Sequence, residues 1–162
     1  MIPSDLIEST AKVLTEKNLS IATAESWTGG LLGHVLTSIS GSSSYYDRGI
    51  ISYTNEAKHE LLNVSVEVLK EYGAVSEIVA EKMAEGVQRN ASSDLGVSTT
   101  GIAGPTGGTK EKPVGLVYIG VATKKETVVK RFVFDRSRLE NKDSTCVEAL
   151  KLVNQVISEQ GL

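Results

Sequence analysis

The chain has 162 residues, 40% of them hydrophobic, and carries a formal net charge of −3. That length suits one domain with enough interior to fold without disulfides or a structural metal. Mild acidity, interspersed charges and only 5% aromatic residues exclude the basic stripe of a nucleic-acid binder, and no apolar run approaches the ~20 residues of a membrane span.

Ser4 is expected to cap a first helix running to about Lys17, with Leu6, Ile7, Ala11, Val13 and Leu14 inward. The residues ahead of it show no basic region before an apolar run, so no signal peptide is expected. Ser20 to Ala24 reads as a first strand, and Leu31, Leu32, Val35, Leu36 and Ile39 then repeat at helical spacing. Ser40-Gly41-Ser42-Ser43-Ser44 breaks that helix. Gly49 to Thr54 reads as a second strand, after which Asn55 can cap a short helix. Ser65 and Ser76 look like further caps, the second opening a helix with Val79, Met83, Gly86 and Val87 inward.

Leu95 to Thr100 reads as a third strand. Val114 to Ala122 and Thr127 to Phe134 are separated by a short polar turn and read as a hairpin, so at least one strand is antiparallel. A last helix is expected from about Leu139 to Glu159, with the lone cysteine, Cys146, as a core thiol. One cysteine forms no internal disulfide and fits a reducing, cytoplasmic setting. The pattern predicts an α/β fold, a three-layer α/β/α sandwich with a mixed, mostly parallel sheet of about five strands in a single domain over 1–162.

Three polar segments follow strands: Thr23 to Gly30, Tyr53 to Lys58, and Gly101 to Gly108. In open α/β sheets ligands bind beyond the carboxyl ends of strands, so these segments are expected to wall one small-molecule site. The glycine loop fits neither a Walker loop nor a dinucleotide fingerprint. Ser26 lacks the flanking glycines of a hydrolase elbow. The two histidines, His34 and His59, leave a Ser-His-Asp triad open but poorly supported, ligands at metal-cluster spacing are lacking, and no metal is expected.

Lys58 falls in the first turn of its expected helix, where backbone dipoles and partial burial both favour a neutral amine. Such an amine can take a proton from a hydroxyl. A solvated surface lysine is the competing reading. Ser26 is either a cap or a nucleophile, and the amides of Trp27, Thr28, Gly29 and Gly30 can face an anion or a developing oxyanion.

Taken together, Thr23 to Gly30, Gly41-Ser42-Ser43, Tyr53 to Lys58, Gly73 to Ser76, Thr100 to Pro105 and Glu111 to Gly115 resemble the CinA C-terminal domain family, from about Ser4 to Ile157. The resemblance implies a mixed-sheet α/β/α fold, a tendency to form homo-oligomers and cofactor-free nicotinamide-nucleotide amidohydrolase activity. Nicotinamide mononucleotide is the implied small-molecule partner. Some members carry a further N-terminal domain, and none is expected within these 162 residues.

By the same resemblance Ser26 looks like the nucleophile, Lys58 the general base and Tyr53 an aid to proton transfer. Thr100 and the Gly101-Ile102-Ala103-Gly104 backbone look like the wall against the nicotinamide. Ser42, Ser43 and Arg138 look placed to hold ribose or phosphate, with Arg136 as a rival to Arg138. Glu25 is expected either to orient Lys58 or to be structural. Two departures stand out. Trp27 replaces a frequent cysteine and is expected to reshape the pocket mouth, the feature favouring a non-catalytic nucleotide-binding or interaction module. Lys142 replaces a second arginine and gives up bidentate geometry.

Overall fold

Two apolar runs lie side by side at the middle of one sheet, β1 (Ile21–Glu25) and β3 (Leu95–Gly101). The computed structural model describes residues 1–162. It adds β2 (Tyr46–Ile51), β4 (Leu116–Ala122) and β5 (Thr127–Val133) in the order β2-β1-β3-β4-β5. β1 pairs in parallel with β2 and β3, while β4 is antiparallel to both β3 and β5. Four of the five strands therefore point one way and only β4 is reversed. This is the expected three-layer α/β/α sandwich.

Helices α1 (Ser4–Glu16), α2 (Leu31–Leu36) and α6 (Arg138–Glu159) cover one face of the sheet. Helices α3 (Asn55–Leu62), α4 (Val66–Tyr72) and α5 (Glu77–Ala91) form the layer on the other. Every residue of β1 is buried, and the strand period of two divides its side chains between two cores. Ile21 packs with Leu14, Leu95, Val97 and Leu150 under α1 and α6. Ala22 and Ala24 pack with Leu62, Val79, Met83 and Val87 on the α5 side. Each fully buried aliphatic side chain contributes about 1.5–3 kcal/mol relative to exposure.

The second core depends on close backbone approach. A Cβ added at Gly86 of α5 would lie 2.2 Å from the Leu62 carbonyl oxygen of α3. Glycine there lets α5, which lies on the sheet, and α3 approach backbone to backbone. Cys146 is fully buried as expected, and burial pushes its thiol well above its ordinary range. No helix is long and apolar enough to cross a membrane.

Several boundaries differ from expectation. Pro3, not Ser4, takes the N-cap position of α1, without a side-chain bond. β2 begins at Tyr46 and ends at Ile51 instead of spanning Gly49 to Thr54. Asp47 and Arg48 look like loop residues in sequence, but β2 is an edge strand, where exposed charge is tolerated. Helix α6 starts at Arg138 because Ser137 and Glu140 form a reciprocal capping box ahead of it.

Candidate active site

Past β1 the chain leaves the sheet at Ser26, whose amide still donates to the Thr99 carbonyl of β3 at 3.1 Å. Ser26 thus sits at the carboxyl end of the strand between β2 and β3. The strand alternation turns it to the face that α3 covers. At the same end, β2 gives way to Ser52, whose amide donates to the Glu25 carbonyl at 2.8 Å. Helix α3 then begins, capped by Thr54, whose Oγ1 accepts from the Ala57 amide at 3.0 Å. Asn55, expected as the cap, is the first helical residue instead.

Lys58 is only 1% exposed and points back under the strand ends. Its Nζ lies 3.0 Å from Ser26 Oγ, 2.7 Å from the Ser52 carbonyl and 3.5 Å from the Tyr53 carbonyl. All three partners are uncharged. Burial in this cage lowers the amine from 10.5 to about 8, because desolvation disfavours the charged form. A neutral amine has two hydrogens and one lone pair. The two carbonyls take the hydrogens, and the lone pair is left for the Ser26 hydroxyl proton.

Glu25 does not orient Lys58. Its carboxylate turns to the opposite face of the sheet, accepting from the Leu32 amide at 2.9 Å, the Gly33 amide at 3.0 Å and the Thr28 hydroxyl at 2.7 Å. Thr28 Oγ1 also lies 2.7 Å from Thr99 Oγ1, so its buried hydroxyl is committed within the chain and does not face a ligand. Gly29 and Gly30 both adopt positive φ, at 63° and 101°, which the tight turn into α2 requires. The amides of Trp27, Thr28 and Gly30 have no partner in the chain.

Trp27 is 4% exposed and packs into the α6-side core, on the face away from Lys58. It does not shape a pocket mouth. Its Nε1 lies next to Gly101 without a hydrogen-bond partner.

The glycine loop is pinned from outside. Thr100 Oγ1 donates to the Ala74 carbonyl at 2.7 Å, and the Ala103 carbonyl accepts from Asn141 Nδ2 at 3.2 Å. Ile102 exchanges backbone bonds with Leu116 and Gly115. Arg138 bridges the Gly104 carbonyl at 2.9 Å and the Tyr53 hydroxyl at 3.2 Å. Gly101, Ile102, Ala103 and Gly104 therefore stand at the same end of the sheet as Ser26. Arg136 instead lines a cavity with Met1, Glu140 and Asp143, which separates it from this loop.

Tyr53 is 57% exposed, and its phenol pairs with Arg138, not with Ser26 or Lys58. Its contact with Lys58 runs through its carbonyl alone. Ser42 and Ser43 belong to a 3-10 turn, Ser42–Ser44, that precedes β2. The parallel register pairs Tyr46 with Ile21, so both serines stand at the amino ends of the strands. Within one chain they do not share a pocket with Ser26.

Lys142 comes instead to the Ser26 turn: a Cβ at Gly29 would lie 4.0 Å from its Nζ. Thr28, Gly29, Gly30 and Lys142 line one cavity of about 570 Å³. No three His, Cys, Asp or Glu side chains converge where they could hold a metal ion.

The family model for the CinA C-terminal domain matches residues 4–157. A CinA-like protein of Syntrophus aciditrophicus is 49% identical over 151 residues, covering 91% of this chain and 36% of its own length. A CinA-like protein of Salinibacter ruber is 48% identical over 145 residues, covering 90% and 35%. The chain spans about a third of the length of the curated relatives it matches. Among solved structures, the competence/damage inducible protein CihA from Agrobacterium tumefaciens superposes with a TM-score of 0.91 at 38% identity, covering 96% of this chain and 98% of that one.

Proposed function

The chain belongs to the CinA C-terminal domain family, and on that footing we propose that it is a metal-free nicotinamide-nucleotide amidohydrolase. It hydrolyses nicotinamide mononucleotide to nicotinate mononucleotide and ammonia. The observation that carries this reading is the 3.0 Å approach of Lys58 Nζ to Ser26 Oγ in a buried, carboxylate-free cage.

In the proposed reaction neutral Lys58 takes the Ser26 proton as Oγ attacks the carboxamide carbon. The developing oxyanion draws on unpartnered amides beside Ser26, those of Trp27 and Thr28. Collapse of the adduct breaks the C–N bond. Lys58 passes its proton to the departing nitrogen, so ammonia leaves and an acyl-Ser26 ester remains. Water, deprotonated by Lys58, attacks the ester and regenerates the Ser26 hydroxyl. Arg138 and Lys142, at the rim of the same sheet end, supply positive charge for the phosphate.

The test is ammonia release from nicotinamide mononucleotide, its riboside and nicotinamide, with and without a chelator. Turnover that prefers the mononucleotide, survives the chelator and disappears in Ser26→Ala supports the reading. Equal rates for all three amides overturn the nucleotide assignment. A wild-type rate in Ser26→Ala overturns the nucleophile.

A further inference from the structure

The turn that carries Ser26 is gripped from behind by a carboxylate facing away from the reacting atoms. Glu25 is 1% exposed, yet the partners of its carboxylate are all donors of one short segment: Thr28 Oγ1, Leu32 N and Gly33 N. The Thr28 hydroxyl passes the grip on to Thr99 of β3, the residue whose carbonyl also holds the Ser26 amide. The segment between the carboxylate and its partners contains two left-handed glycines, which give the turn little stiffness of its own.

We propose that Glu25 is a positioning residue for Ser26: its carboxylate closes the 25–33 segment into one rigid loop, so that Oγ faces Lys58 and the Trp27 and Thr28 amides stay open to the substrate. This rests on the Ser26–Lys58 reading above. Leu32 and Gly33 amides satisfied by the carboxylate have no need of the Ser26 hydroxyl as a cap, which leaves that hydroxyl free for chemistry. A glutamine of the same size cannot serve. One end of its carboxamide is a donor, and it would face either the Gly33 amide or the Leu32 amide and Thr28 hydroxyl, all donors.

The experiment compares wild type, Glu25→Gln and Thr28→Val by two readouts. One is ammonia release from nicotinamide mononucleotide across pH. The other is the rate at which a serine-directed fluorophosphonate labels Ser26, identified by peptide mass spectrometry. Glu25→Gln is expected to lose at least tenfold in kcat and in labelling rate, with KM within twofold of wild type. The pH limb near 8 set by Lys58 is expected to stay in place, because Glu25 acts on geometry and not on the base. Thr28→Val is expected to lose in the same direction by a smaller factor, and it carries the test if Glu25→Gln fails to fold.

Wild-type rates in a folded Glu25→Gln, or in Thr28→Val where Glu25→Gln does not fold, overturn the proposal. A loss accompanied by a shifted pH limb overturns it too, since that assigns Glu25 a field effect on Lys58. Labelling of wild-type Ser26 without ammonia release defeats only the substrate assignment, and the labelling rates still decide the role of Glu25. A wild type that neither labels nor turns over ends the nucleophile reading and this proposal with it.

Discussion

Lys58 Nζ and Ser26 Oγ stand 3.0 Å apart although 32 positions separate them in the chain. The parallel pairing of β1 and β2 accounts for the encounter. Both strands end at the same edge, Ser26 following one and α3 following the other within a few residues.

The pH dependence of turnover follows from the cage around Lys58. The amine accepts a proton only when neutral, and burial brings it to about 8. We expect kcat/KM to rise with pH and level off above that value, in ammonia-release assays between about pH 6 and 10. A limb near the ordinary lysine value of 10.5 would refute the desolvated base.

Stability is expected to show the opposite face of the same shift. The folded amine sits near 8 and the unfolded one near 10.5, so below pH 8 folding carries the full penalty of a buried charge. That penalty fades as pH rises from about 8 to 10.5. The stability of inactive Lys58→Met relative to wild type is expected to be greater at pH 7 than at pH 10 by on the order of 2 kcal/mol, at about 1.4 kcal/mol per pKa unit. Denaturant titrations at pH 7 and pH 10 check this, and a gap that does not narrow at the higher pH contradicts it.

Arg138 is exposed, with its guanidinium spanning Gly104 and Tyr53. Arg138→Ala is expected to raise KM for the mononucleotide about tenfold or more, as loss of a charge-assisted contact does, with kcat changed far less. The riboside, which has no phosphate, is expected to respond weakly. Equal effects on both substrates would assign Arg138 to loop bracing alone.

Gly86 holds no ligand but sets the spacing between α5 and α3. A methyl group there meets the Leu62 carbonyl at 2.2 Å, and backbone cannot yield as a side chain does. Gly86→Ala is expected to destabilise the fold by about 1–3 kcal/mol, the usual range for overpacking. It is also expected to slow turnover by displacing Lys58. A melting curve superposable on wild type would show that α5 and α3 have slack.

The pairing of Ser26 with Lys58 was legible because each follows a recognisable strand end, and strand ends are where α/β folds gather polar groups. The carbonyl cage was not. Ser52 and Tyr53 meet the amine through main-chain oxygens, which every residue possesses and no sequence advertises. Of the two readings of Glu25 the structural one holds, and its even-numbered steps from Ile21 and Thr23 along the strand place it on the face opposite Ala24. Ser42 and Ser43 were grouped with the site by resemblance, and a resemblance does not say at which end of a strand a loop lies. Trp27 misled by size: the fold takes it as core.

The base depends on the least protected strand of the sheet. β2 is an edge, bonded only to β1, and the cage carbonyls follow directly after its last residue. The ladder with β1 runs to Ile51, and past it the Ser52 amide adds one more bond, to the Glu25 carbonyl. Local opening can cost less than global unfolding, so fraying of this edge is expected to hydrate the Lys58 ammonium and switch the base off before the rest of the molecule unfolds. Amide exchange at Ser52 is expected to run ahead of exchange in β3, with turnover lost on warming before the fold melts; exchange at Ser52 no faster than in β3 would refute it.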